Sequence, residues 1–462
     1  MGPTGRQGVS RRGFLGAGVA GLTALSASRV LGANERVGVG VIGFGLIGRI
    51  HTRSFMDQPD VSIVAVSETY QPRMEAGVAL IGGSVARYPD FRKLLDDKSV
   101  DAVVVATPDH WHALMTMLAC AAGKDVYVEK PLTLFQREGQ WMQQVAKHYR
   151  RVVQVGVQNR SAPNFRRARE LVRGGRIGQV VSAQDNYYRN LMPGLGNPPD
   201  QDPPQELDWE MWLGPSPYHR YNPNRGLYHF RWFWDTSGGQ MTNLGQHSLD
   251  IVQWVMGVGA PKTIYSSGGR FFLKDNCETP DTQDVIIEYP GFTTVLQYRE
   301  ATAGRTAMGM GAVVFYGTEG NLSASRAGYD LVPDRKVNPI NTLAKILGGS
   351  PVGGPQPIPE DESQFWGEPE HDRTGNAVND YSRHARNFLD CMKSRQPPIA
   401  DLQAGHEVAT TCHLANISLK TGRKLVWNSQ KEEIVDDPQA NQMLLRPYRT
   451  PWDKELAALG VG

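Results

Sequence analysis

The stretch VGVIGFGLIGRIH, Val39 to His51, decides how the first half of the chain folds. An apolar, β-branched run enters Gly43, Phe44, Gly45, Leu46, Ile47 and Gly48, which hold G-x-G-x-x-G spacing, and a helical pattern follows at once. Glycines in that order permit a tight turn, let backbone approach a pyrophosphate and let helix pack on strand. The helix start then offers free N–H groups and a partial positive charge to phosphate. With 50 glycines in the chain the spacing alone is weak, but its context is specific. Glu68 closes the next apolar run, VAVSE, twenty residues beyond Gly48. A carboxylate there binds ribose hydroxyls and repels a 2′-phosphate, so NAD is favoured over NADP; Arg73 nearby softens that preference.

Outward from this turn, apolar runs alternate with helical patterns to about residue 155: VSIVAVSE, AVVVATP, DVYVEK and RVVQVGVQ, with FRKLLDD, HALMTMLACAAG and EGQWMQQVAKHY between them. Strands apolar throughout, separated by helices, predict a parallel sheet covered on both faces. From about residue 160 the texture changes. KTIYSSGGRFF, DTQDVIIEYPG, TTVLQYRE and GAVVFYGTEG read as longer, half-solvated strands, and a Pro-, Trp- and Tyr-rich stretch from Met192 to Asp235 reads mostly as loop. One helix is expected over 239–256, two more near the C-terminus, and a long surface insertion over 331–375. The expected division is a leader over 1–33, a dinucleotide-binding domain over 34–158, a substrate and oligomerisation α+β domain over 159–430 and a tail over 431–462.

Bulk properties bound the function. The 462 residues suit two domains, and a formal net charge of +2 gives no reason to expect nucleic acid as partner. Four scattered cysteines show neither metal-ligand spacing nor a disulfide framework, so no metal site is expected. SRRGFLGAGVAGLTALSAS, Ser10 to Ser28, sets Arg11 and Arg12 before a small, apolar run too short to span a membrane. It matches a twin-arginine export signal, which predicts a periplasmic or otherwise exported protein handled by the twin-arginine machinery.

Thr107 and Pro108 fall at the carboxyl end of a predicted strand, on the ligand side of such a sheet. His110, Trp111 and His112 follow as candidates for cofactor or substrate contact; the alternative is that Asp109 caps the helix and the histidines lie on its flank. DVYVEKPLT, Asp125 to Thr133, ends a strand in Glu129 and Lys130. A lysine there faces the crevice, where it can hydrogen-bond a reacting hydroxyl and stabilise a developing alkoxide. Burial lowers its pKa, while Glu129 either restores it or binds ribose or amide groups.

The glycine turn, Glu68, TPDHWH and EKP, in this order and spacing, resemble the Gfo/Idh/MocA family, named for glucose–fructose oxidoreductase and inositol dehydrogenase. GGQMTNLGQHSLDIVQW and NFLDCMKSRQPPIADLQAGHEVA extend the likeness over nearly all the chain beyond the leader. The resemblance implies a Rossmann domain followed by an α+β domain with a large, mostly antiparallel open-faced sheet that often mediates dimers or tetramers. It implies hydride transfer between nicotinamide and a sugar, cyclitol or glycoside hydroxyl, with Lys130 as the family's lysine. Some relatives are exported by the twin-arginine route and keep NAD bound through turnover.

The family's second signature sets an Asp four residues before a His; here those positions hold Asn243 and His247, with Asp250 three further on. On one continuous helix the three share a stripe, and His247 becomes the candidate base. A neutral amide fixes the imidazole less firmly than a carboxylate, so His247 is expected to be a weaker base; Asp250 either compensates or is structural. DNYYRN and YHFRWFWDTSGG supply substrate candidates: Tyr187, Tyr188, Arg189, Arg231, Trp232 and Asp235. Rings with charged heads suit a polyhydroxylated ligand, although such clusters also serve packing. Two other readings stand. One is a glycosidase that oxidises, eliminates and re-reduces, needing a further base such as Tyr187, Tyr188 or His229. The other is an inactive sugar-binding protein, for which Asn243 is the support.

Overall fold

The computed structural model describes residues 36–303, 312–336 and 364–462, with the isolated positions 346 and 348. The expected leader lies outside the described residues, as does most of the expected insertion over 331–375. The first half is a parallel sheet in the order β3-β2-β1-β4-β5-β6. In chain order it runs β1 (Val37–Ile42), α1 (Leu46–Met56), β2 (Val61–Ser67), α2 (Gln71–Ile81), β3 (Ala86–Tyr88), α3 (Phe91–Asp96), β4 (Ala102–Val105), α4 (Asp109–Ala121), β5 (Asp125–Val128), α5 (Gln136–His148) and β6 (Val153–Val155). β4 and β5 are buried at every residue, which is why they read as unbroken apolar runs. The strand order reverses between β1 and β4, and the crevice outside their carboxyl ends is where such sheets bind ligands.

The second half begins with α6 (Pro163–Arg173) and β7 (Val180–Tyr188). After α7 (Trp209–Leu213), α8 (Gly239–Asn243) and α9 (Gly245–Met256) come β8 (Thr263–Gly269), β9 (Thr282–Tyr289), β10 (Phe292–Arg299), β11 (Val313–Gly317), β12 (Gly320–Ser325), β13 (Gly328–Pro333) and β14 (Glu370–Asp372). Then follow α10 (Ala377–Ser394), α11 (Leu402–Thr421), β15 (Leu425–Asn428), β16 (Glu433–Ile434), α12 (Pro438–Gln442) and α13 (Trp452–Ala458). Ten strands form one sheet ordered β14-β13-β12-β11-β7-β10-β9-β8-β15-β16, antiparallel except where β7 meets β10. One face packs on α6, α9 and α11; the other leaves Val181, Tyr265, Ile286, Tyr316 and Val332 exposed, the alternation expected of a strand solvated on one side. The α/β class with a mostly antiparallel second sheet is thus as the sequence predicts.

Three features depart from the sequence reading. The single helix expected over 239–256 is two, broken at Leu244 (φ −104°, ψ −38°). The aromatic stretch before it is a strap with its own small core of Leu207, Trp209, Trp212, Leu213, Tyr221 and Phe230. It is sewn to both sides of the ligand crevice. Asp208 N donates to Thr69 O and Gln71 N to Glu206 O, each at 3.0 Å, while Trp212 O accepts from His110 Nε2 and Trp111 Nε1, also at 3.0 Å. Residues 431–462, expected as a tail, return to the first domain, where Trp452 meets the Trp111 ring at 4.7 Å and Tyr448 Oη donates to Glu138.

Candidate functional site

At the glycine turn, each glycine has its own reason. Gly43 has φ +89°, and a Cβ there would lie 2.7 Å from Ala106 O; on Gly48 a Cβ would lie 2.1 Å from Gly43 O. Gly45 differs, for its backbone is extended and an added Cβ would meet nothing nearer than the Arg73 guanidinium at 3.6 Å, across the open crevice. Gly45→Ala is therefore expected to leave thermal stability unchanged while weakening NADH binding about tenfold or more, because the methyl occupies the path of the pyrophosphate. Titration of NADH fluorescence beside a melting curve checks both halves.

Glu68 stands at the end of β2, accepting from Phe44 N at 2.7 Å, Thr69 N at 2.9 Å and Tyr70 N at 3.1 Å. Three backbone donors hold the carboxylate on the crevice wall, which Gly43, Gly45, Leu46, Ile47, Arg73, Thr107 and Pro108 also line. Thr107 Oγ1 is buried without a hydrogen-bond partner, and it borders both this crevice and the cavity beyond. An open glycine, a held carboxylate and an orphaned hydroxyl fit a dinucleotide lying from Glu68 towards Thr107.

The crevice continues into a cavity of about 430 Å³ between the two sheets, bordered by Glu129, Lys130, Tyr187, Arg231, Asn243 and His247 among others. Lys130 enters after β5, preceding a cis peptide to Pro131. Its Nζ donates to Asn243 O at 2.9 Å and Asn243 Oδ1 at 3.1 Å. Burial pushes the ammonium down to about 8, against the opposing pull of Glu129. Glu129 is held by its neighbours: Oε1 lies 2.6 Å from His51 Nε2 and Oε2 accepts from Lys130 N at 3.0 Å. Burial opposes its charge, but the His51 bond and the charges of His51, Lys130 and His112 together outweigh this and hold the carboxyl below its usual range.

Several sequence candidates lie elsewhere, each for a visible reason. His110 is buried and bonds the strap, with burial pushing it down to about 3. His112 sets its ring nitrogens 2.6 Å from Pro131 O and 2.9 Å from Thr107 O, joining the loops that follow β4 and β5. Asp109 does not cap α4; it accepts from Ser237 Oγ at 2.5 Å. Tyr188 bonds Gln297, Arg189 pairs with Glu300 and lies over the Trp232 ring, and Asp235 bonds His219 and Arg446. Tyr187 and Arg231 do border the cavity; Tyr188, Arg189, His229, Trp232 and Asp235 do not.

The helix break at Leu244 undoes the expected stripe. Asn243 bonds Lys130 and Gln240 rather than His247. Asp250 is not a substitute partner: it takes the Arg160 guanidinium at 2.8 Å, both side chains almost wholly buried. His247 instead faces Arg326, whose Nη2 lies 3.3 Å from Nε2, and its Nδ1 is buried without a partner. A guanidinium donates only, so this contact keeps Nε2 unprotonated. Burial, then the charges of Lys130 and Arg326, hold His247 well below its ordinary pKa. Sequence reasoning missed Arg326, Asn159, Asp185 and His51. The last lies within the glycine-turn motif; the others carry no local pattern.

Residues 37–157 match the model of an oxidoreductase family's NAD-binding Rossmann fold, and residues 174–267 and 365–454 match that family's C-terminal α/β domain. Fold and crevice thus define a two-domain, NAD-binding oxidoreductase. The chain belongs to the Gfo/Idh/MocA family. It is 25% identical over 316 residues to scyllo-inositol 2-dehydrogenase (NAD(+)) of Bacillus subtilis, covering 65% of this chain and 81% of that one. Inositol 2-dehydrogenase 1 of Saccharopolyspora erythraea is 37% identical over 148 residues, 31% of this chain and 44% of the other. Among solved structures, levoglucosan dehydrogenase in complex with NADH and levoglucosan superposes with a TM-score of 0.62 at 18% identity, over 87% of this chain and all of that one, a likeness of fold.

Proposed function

We propose that the protein is an exported, NAD-dependent dehydrogenase oxidising a ring hydroxyl of a carbohydrate, cyclitol or glycoside. The observation that carries this reading is Lys130, half-buried where the dinucleotide crevice opens into the cavity, its Nζ bonded to an uncharged amide and a carbonyl. Bound NAD supplies the acceptor for hydride. Lys130 near its free-amine range binds the substrate hydroxyl and takes its proton, while His247, its pKa lowered by burial first and then by the charges of Lys130 and Arg326, orients the substrate. Tyr187 and Arg231 supply further contacts. Glu129 keeps the Lys130 backbone in place through His51. Names of relatives support this substrate class: a scyllo-inositol dehydrogenase in sequence and a levoglucosan dehydrogenase in fold.

Glu68 favours NAD over NADP, because a 2′-phosphate would meet its carboxylate. Like charges so placed cost several kcal/mol, so Glu68→Ser is expected to narrow the preference by at least about tenfold in paired titrations. The strap pinned across the crevice supports a cofactor retained through turnover, and the exposed sheet face supports a dimer or tetramer. Arg11 and Arg12 support export, which an Arg11→Lys, Arg12→Lys double variant retained in the cytoplasm would bear out.

The deciding experiment is mass spectrometry and absorbance of protein purified without added nucleotide, followed by sugars, inositols and glycosides. Bound NAD(H) with reduction on substrate addition is expected. Aglycone release with no net NADH would replace this reading by a redox-assisted glycosidase, and protein that neither carries nor binds NAD(H) would end it.

A further inference from the structure

Arg326 brings to the cavity a charge that oxidation of a neutral sugar does not require. It stands in the turn between β12 and β13, and its guanidinium reaches the cavity wall. Nε donates to Asn159 Oδ1 at 3.2 Å and Nη2 lies 3.3 Å from His247 Nε2. The Gln158 amide, with its oxygen turned towards Tyr381 Oη, adds an acceptor at 3.1 Å. None of these partners is a carboxylate. Asp380 feels the Arg326 charge but is bonded to Arg383.

Arg231 is similar. It donates to Tyr228 O at 2.8 Å and lies over the Tyr228 and Phe230 rings, with no ion pair to a carboxylate among the described residues. The carboxylates that border the cavity are already engaged: Glu129 with His51, Asp109 with Ser237 and Asp185 with Ser248. Burial moreover pushes Asp185 up to about 6 and raises Asp109. Lys130 is offset by Glu129 beside it, whereas Arg231 and Arg326 bring to the cavity charges with no carboxylate paired to them. Uncharged polyols recover none of the cost of holding those charges together, whereas an anion does.

We propose that the substrate is an anionic sugar, a sugar acid or sugar phosphate whose acidic group is bound by Arg326 at the cavity wall. The planar guanidinium fork matches either oxyanion with two parallel N–H donors. Pairing with the anion draws Arg326 from His247 and leaves Nε2 to accept from a substrate hydroxyl. The proposal deepens the dehydrogenase reading and rests on it, since the bound anion is taken to be the molecule oxidised.

The test is calorimetry on full-length, NADH-loaded protein with D-glucose, D-glucuronate and D-glucose 6-phosphate, repeated with Arg326→Gln and Arg326→Lys. One of the two anions is expected to bind about 30-fold more tightly than glucose, in keeping with hydrogen bonds to charged groups. Glucuronate in that place identifies a carboxylate and glucose 6-phosphate a phosphate. Arg326→Gln should bring the ratio near one with NADH affinity unchanged, and Arg326→Lys should keep part of it. Glucose bound as well as either anion, no binding of any of the three, or a preference that survives Arg326→Gln overturns the proposal. An anion bound through Arg326 that NAD-loaded protein never oxidises would instead sink the dehydrogenase reading and leave the anion site standing.

Discussion

Replacing Lys130 by methionine is expected to lower kcat by about a thousandfold, within the usual range for removing a group that moves the proton or stabilises the developing alkoxide. NADH affinity should stay within about threefold, since the Lys130 side chain bonds Asn243 rather than the glycine turn. The pH profile gives the sharper check. Burial pushes Lys130 down to about 8, so a lysine acting as the free amine makes kcat/KM for oxidation rise with pH and level off above that value. Asn243→Asp would place a carboxylate against the ammonium, favour the charged form and move this limb upward by about one to three units. A limb unmoved by Asn243→Asp, or Lys130→Met retaining a tenth of the activity, would return the proton to another group, His247 first.

Asp250→Ala is expected to cost about 3 to 5 kcal/mol of stability, because it strands the buried Arg160 guanidinium without its partner. Arg160 also donates to Ile399 O at 3.0 Å, so the loss should loosen the link between α9 and the segment before α11. Chemical denaturation measures this directly. If Asp250 served His247 instead, the variant would keep its stability and lose activity. Equal stability of Asp250→Ala and the unaltered protein would contradict the structural role.

Much of the fold was legible because its constraints are local. The glycine spacing and the helix that follows it sit within a dozen residues, and β4 and β5 advertise burial on both faces by their valines. Lys130 was legible for the same reason, as an abrupt charge at the end of an apolar strand. The contacts that decide its chemistry were not. Asn243 meets it from 113 residues away, and Arg326 reaches His247 from a turn 79 residues beyond. The stripe of Asn243, His247 and Asp250 misled because helical spacing assumes an unbroken helix, and nothing in TNLGQHS except Gly245 marks the break at Leu244. Trp209, Trp212 and Tyr221, in a stretch that read mostly as loop, pack on one another, since a strap without regular strands needs a core of its own.

The return of the chain's last helices to its first sheet has a consequence for biosynthesis. Phe388 packs against Phe55 and Tyr127, and Trp452 against Phe91 and Trp111, so the faces of the parallel sheet are finished by residues translated some three hundred positions later. A ribosome that has released only the nucleotide-binding half therefore presents bare aromatic surface rather than a finished unit. Closure must wait for the whole polypeptide, and such long-range pairing is intrinsically slow and exposed to aggregation. The nucleotide-binding half gains its last aromatic partners only when α10 and α13 have been made.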